Sequence, residues 1–195
     1  MRAVPVALAA AIVATLSPTA ASANALSHDA RLEGFFQANG VVTKAVGIPG
    51  ERRGQHVTRT WQFIPSCPTG VCATVQLVRG RAHGFDRLRL HRRRPGYYTG
   101  IGSFLVAVRC AGRRYAAGER ARYTITLTIT STVAQGANVI ATGFTATYRN
   151  PVRVGLTPCY SAPSYDSAHY HGVPAPPPPA ASIRTERRIR SSTGS

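Results

Sequence analysis

From residue 41 onward, apolar and polar positions alternate with a period of two, the repeat of a β-strand buried on one face. The clearest stretch is 122–130, where Tyr123, Ile125, Leu127 and Ile129 alternate with Thr124, Thr126, Thr128 and Thr130. Threonine is polar but favours extended backbone, so this segment predicts a strand with one core face and one solvent face. Residues 56–64 alternate in the same way. Arg59 falls in phase with Trp61 and Phe63, so the inward set is expected to begin at Trp61. Residues 71–79 place Val71, Ala73, Val75 and Leu77 on one face, and Pro68-Thr69-Gly70 lies between the two segments. Together they predict a hairpin. Further strands are predicted at 41–46, 85–92, 97–99, 104–110 and 138–149. In 85–92, Leu88 and Leu90 point inward while Arg87, Arg89 and His91 point outward. Gly100 and Gly102 read as an interruption, and 112–119 as a loop.

The pattern therefore predicts seven or eight strands with hairpin-length connections and no helical repeat between them. Without crossover helices the sheet must be antiparallel. The expected fold is all-β and disulfide-stapled, either a single antiparallel barrel or a two-layer sandwich. The β domain is expected over 41–160. Ahead of it, 26–40 is a lead-in segment: Ser27 can cap a short helix with Leu32, Phe35 and Phe36 on one side and Asn39-Gly40 at its end. After Cys159 the alternation lapses. Pro174, the run 176–179 and the basic residues Arg184, Arg187, Arg188 and Arg190 make 161–195 an expected disordered, Pro-rich basic tail.

The N-terminus adds a compartment. Arg2, an apolar run over 4–16, Pro18 and the small residues Ala23 and Ala25 flanking Asn24 form a secretory signal peptide over 1–25, cut after Ala25. The run is too short for a transmembrane anchor, and no later stretch spans a bilayer. The expected location is secreted, extracellular or in the cell envelope. Four cysteines, Cys67, Cys72, Cys110 and Cys159, then read as two structural disulfides. Three pairings exist. Cys67–Cys72 with Cys110–Cys159 is favoured, closing a tight turn and a long loop worth about 2 and about 4 kcal/mol by chain entropy. The spacing suits neither a zinc site nor a redox dithiol.

The segment RTWQFIPSCPTGVC (59–72), continued by Val75, Leu77 and Arg79 and later by Gly96-Tyr97-Tyr98-Thr99-Gly100, resembles a β-rich module of secreted or membrane-tethered actinobacterial proteins. In that module a Trp-x-Phe-x-Pro-x-Cys strand meets a Gly-x-Cys strand. The likeness covers about residues 40–159. It implies the hairpin, the Cys67–Cys72 bond and extracellular placement. Trp61 and Tyr97 match its pattern, and core packing is the role expected of them. The resemblance implies no activity.

The net charge is +17, or +16 without Arg2. Such a chain attracts anionic surfaces. Lys44 is the single lysine among 24 basic residues, a lysine-poor, arginine-rich balance of the kind that a GC-rich genome encodes, so the arginine content is not by itself a sign of function. The densest cluster holds Arg87, Arg89, Arg92, Arg93 and Arg94, whose guanidinium forks suit phosphate and carboxylate. It is the expected anion-binding face, for an anionic cell-wall polymer or an anionic lipid surface. Base-specific nucleic-acid reading is not expected, because no recognition-helix or zinc-finger spacing occurs.

Catalysis has little support in the sequence. Glu51, Asp86 and Glu119 are the acids of the β domain, each in or beside an expected loop, and no Gly-x-Ser-x-Gly occurs. The expectation is a non-enzymatic module without a cofactor. The alternatives are an enzyme acting on an envelope polymer and a secreted inhibitor or effector. Two histidine arrangements suggest metal. Cutting after Ala25 would expose Leu26-Ser27-His28, whose amine, two amides and His28 imidazole can hold Cu(II) or Ni(II) in a square plane. In the tail, His169 and His171 flank Tyr170 near Asp166.

Overall fold

A computed structural model describes residues 30–81, 84–159 and 163–179. Eight strands run up and down in sequence order: β1 Gly34–Val46, β2 His56–Pro65, β3 Thr74–Gly80, β4 Phe85–Arg94, β5 Tyr97–Cys110, β6 Arg113–Gln135, β7 Asn138–Gly155 and β8 Tyr165–Pro174. Every neighbouring pair is antiparallel, and β8 returns to pair with β1, closing a barrel. Closure satisfies the main-chain groups that an open sheet would leave at its edges. Both disulfides join the expected partners, Cys67 with Cys72 and Cys110 with Cys159.

Four differences from the sequence expectation bear most on the architecture. The described part of the lead-in, 30–40, holds no helix, because 34–40 is the first half of β1. Residues 165–174 of the expected tail are strand β8, while 180–195 lie outside the described residues. β5 runs unbroken through Gly100 and Gly102, and β6 begins at Arg113, inside the expected loop. The first two differences share a cause. The inward positions of β1 include Ala38 and Gly40, and those of β8 include Ala168 and Gly172. These small residues leave room for aromatic rings from the adjacent strand. A Cβ on Gly172 would lie 2.0 Å from the Phe144 ring, and one on Gly40 2.5 Å from Tyr170. Phe144 sits opposite Gly172, and Tyr170 opposite Gly40. The burial alternation is intact in both strands, but the hydrophobic alternation is carried by the neighbours' rings.

The core fills the middle of the barrel. Trp61 stacks on Phe144 with centroids 5.3 Å apart, and Phe36 and Phe63 meet edge to face at 5.4 Å. Leu77, Leu90, Ile125 and Leu127 pack around them. Burying each large apolar side chain contributes about 1.5–3 kcal/mol.

The two ends differ. At one end, the segment before β1 crosses the opening. The Arg31 amide donates to Val139 at 2.7 Å, and the Ala141 amide donates to the Arg31 carbonyl at 2.9 Å. The buried Arg31 guanidinium donates to the carbonyls of Gly70 and Cys67, each at 3.0 Å, and pairs with Glu33. The Cys67–Cys72 loop and this segment together plug that end.

The other end is open. There β4 pairs with β5 only as far as Leu90 opposite Gly100, and β7 with β8 only as far as Asn150 opposite Asp166. Beyond those points β5, β6 and β7 continue as a three-stranded arm, held by the Cys110–Cys159 bond.

Candidate functional site

The alternation that builds each strand carries charged residues onto the inner face near the open end. Arg59 is in phase with Trp61 on β2, Arg79 with Leu77 on β3, Asp86 with Leu88 on β4, and Asp166 with Ala168 on β8. Of these, Arg59, Arg79 and Asp166 line, with Arg81, Arg114, Arg153 and Glu51, a cavity of about 420 Å3 between the barrel rim and the inner side of the arm, and Asp86 is held behind Arg79. Phe104, Tyr148 and Tyr170 supply its apolar wall.

At its floor, Arg79 and Asp86 form a buried two-point ion pair. Arg79 Nε donates to Asp86 Oδ1 at 3.0 Å and Nη2 donates to Oδ2 at 2.7 Å. The guanidinium lies over the Tyr123 ring at 4.2 Å and the Tyr148 ring at 4.7 Å. Burial opposes the Arg79 charge, but the Asp86 hydrogen bonds and field outweigh it, so the group is held charged beyond its ordinary range. Burial also pushes both Tyr phenols upward.

Higher in the cavity the contacts loosen. Arg81 Nε stands 3.7 Å from Asp86 Oδ2, and Arg153 Nη2 stands 3.6 Å from Asp166 Oδ1. Arg81 Nε and Arg153 Nε are buried without a hydrogen-bond partner among the described residues. Arg81 also covers the Phe104 ring at 4.2 Å, closing the seam where β4 and β5 part. Burial raises the Glu51 carboxyl above its ordinary value, with Asp166 adding repulsion. Burial likewise raises Asp166, against the pull of Arg153. Five arginines therefore face two half-desolvated acids and one acid already engaged by Arg79. The cavity is positive, and buried guanidinium donors without partners are suited to a bidentate anion.

The expected anion-binding face on β4 is distributed differently. Arg87, Arg89 and Arg93 are exposed, whereas Arg92 is half-buried in phase with Leu88 and Leu90. Arg93 donates to Thr99 Oγ1 at 2.8 Å, and Arg94 lies 4.8 Å over Tyr97. Arg92, Arg93 and Arg94 stand at the plugged end. The five thus run along β4, away from the cavity. Arg92 leaves the outer face because the strand alternation continues through it.

His28 lies outside the described residues. His169 and His171 stand not in a tail but on the outer side of β8, where His169 Nδ1 is 3.0 Å from Thr147 Oγ1. Among the described residues, no group of three or more His, Cys, Asp or Glu side chains comes together to hold a metal. No described helix is long and apolar enough to cross a membrane.

The cavity residues left one trace in the sequence, as charged residues in phase with core positions. Arg59 showed it ahead of Trp61. Arg79 and Asp86 carry the same signal at the ends of their strands, where Asp86 borders an expected loop. Asp166 had no such signal, because its strand was not legible. Comparison with known protein families, curated proteins and solved structures found no match to this chain.

Proposed function

We propose that this chain is an exported, non-enzymatic binding module that takes a phosphate or carboxylate group of an anionic envelope polymer into the open mouth of its barrel. The observation that carries this reading is the convergence of Arg59, Arg79, Arg81, Arg114 and Arg153 on one cavity. Inside a partly desolvated mouth each charge acts through a lower effective dielectric than on the surface. The leader-like N-terminus and the two disulfides support a site outside the cell. The arginines along β4 offer a second, shallower track for the rest of a polymer chain.

The test is equilibrium binding of the secreted protein to polyglycerol phosphate and, as control, to a neutral glucan, at two salt concentrations. Binding to the polyanion with a steep salt dependence is expected. An Arg81→Ser/Arg114→Ser variant should lose about tenfold or more in affinity. Equal binding by the variant, or equal binding to the glucan, refutes the reading.

An enzyme acting on an envelope polymer is the second reading. It is favoured by the presence of two raised carboxyls, Glu51 and Asp166, in one cavity. Polymer cleavage that vanishes in Glu51→Gln while binding persists would replace the first reading with this one.

A further inference from the structure

The outer side of the arm differs in composition from the barrel wall below it on strand β6. Cross-strand register sets out three rows: Leu105 opposite Arg120, with Arg120 opposite Val154; Ser103 opposite Arg122, with Arg122 opposite Val152; and Ile101 opposite Thr124, with Thr124 opposite Arg149. All nine are exposed. Ile101 is 68% exposed, Val152 50%, Leu105 49% and Val154 47%. Aliphatic side chains in such numbers on one small face mark an interaction surface. The barrel wall below, on the same strand β6, carries Thr126, Thr128 and Thr130 instead.

We infer that this face of the arm seats on an anionic lipid bilayer. Three features select that partner. First, the charge is of one sign: Arg120, Arg122 and Arg149 stand among the aliphatics, and the nearby Glu119 pairs with Val106 in the opposite phase, away from this face. Second, the apolar groups are short and separated by arginines, with no aromatic anchor of the kind that fills a protein pocket. Short aliphatics suit shallow entry at the acyl boundary, while arginine stems lie along it and bring their heads to lipid phosphates. Third, the arm projects past the points where β4 and β8 stop pairing, so a flat surface can reach it without meeting the barrel wall. Leu105 alone of the nine also borders the mouth, and the inference does not depend on the mouth's ligand.

The experiment is co-sedimentation of the full secreted protein with vesicles of phosphatidylglycerol and phosphatidylcholine, and with pure phosphatidylcholine. Partitioning about tenfold or more in favour of the anionic vesicles is expected. Ile101→Ser/Val154→Ser should lower partitioning about fivefold at a salt concentration where the arginines are largely screened. Arg120→Ser/Arg122→Ser should remove most of the preference for phosphatidylglycerol. All four side chains are exposed, so thermal unfolding should be nearly unchanged and serves as the folding control. The mouth variant Arg81→Ser should bind vesicles as the parent does. The inference falls if both arm variants sediment like the parent, or if the parent shows no preference for anionic vesicles. Loss of vesicle binding in Arg81→Ser alone would move the lipid to the mouth and also overturn it.

Discussion

At the plugged end of the barrel, the guanidinium of Arg31 is directed at main-chain carbonyls, those of Cys67 and Gly70, and a disulfide loop closes over it. At the open end, Arg81 and Arg153 face carboxylates at 3.7 Å and 3.6 Å and leave buried Nε donors without a partner among the described residues. Both ends bury arginine, yet with different results. Arg31 satisfies groups that closure of the plug would otherwise strand, so it serves stability. The open end keeps desolvated charge with loose contacts, an arrangement that fits the binding we propose and contributes little to folding. Between them, the Arg79–Asp86 pair is the point where the core gives way to the mouth.

The sharpest way to break this comparison is to remove one partner of that pair. Asp86→Asn leaves Arg79 buried between two tyrosine rings without its counter-charge, a loss of about 3–5 kcal/mol. The melting temperature should fall by roughly 10 °C. A double Arg79→Met/Asp86→Leu variant should recover most of that fall. If the double variant melts no higher than Asp86→Asn, the pair is not an isolated charge problem, and the mouth has a structural role beyond it.

The next largest effect belongs to the plug. Arg31→Ala strands two carbonyls and opens the end, at a cost of about 1–3 kcal/mol. Thermal unfolding with the disulfides intact measures it. A negligible change would mean that the Cys67–Cys72 loop closes the end unaided.

A smaller effect, visible in its pH dependence, should come from Asp166. Burial raises its carboxyl in the folded state. Its contribution to stability is then complete below the ordinary carboxylate range and is lost as pH rises through the raised value. Melting followed from about pH 4 to about pH 7 should show that decline in the parent and a flatter profile in Asp166→Asn. Anion affinity should follow the same titration, since protonating Glu51 and Asp166 leaves the mouth more positive. Identical profiles for parent and variant would contradict the assignment.

The smallest stability effect is expected at the rim. Arg114 is exposed where it borders the cavity, so Arg114→Ser should shift melting by less than about 0.5 kcal/mol. It should still weaken polyanion binding severalfold. A large melting change there would erase the distinction between a folding end and a binding end.

The hairpin of β2 and β3 was legible because its inward residues are large and apolar: Trp61, Phe63, Val75 and Leu77. The same was true of β6, and the cysteine pairing followed from the tight turn at Cys67–Cys72. β8 was hidden by the same rule. Its inward residues are Asp166, Ala168, Tyr170 and Gly172, and only Tyr170 reads as core. Of the mouth, the sequence showed a charged residue in phase with Trp61 and nothing that joined it to four other strands.

The sequence by itself determined that this chain is an antiparallel β protein with two disulfides, because strand periodicity and cysteine spacing are local signals. Only the tertiary structure decided that the sheet closes through β8. Closure depends on the fit of the Phe144 ring over Gly172 and the Tyr170 ring over Gly40, and cross-strand complementarity leaves no trace in either strand alone. Tertiary structure likewise decided where the arginines meet. Arg59, Arg79, Arg81, Arg114 and Arg153 are spread over nearly a hundred residues of chain. They become one site because neighbouring strands bring their ends to the same rim.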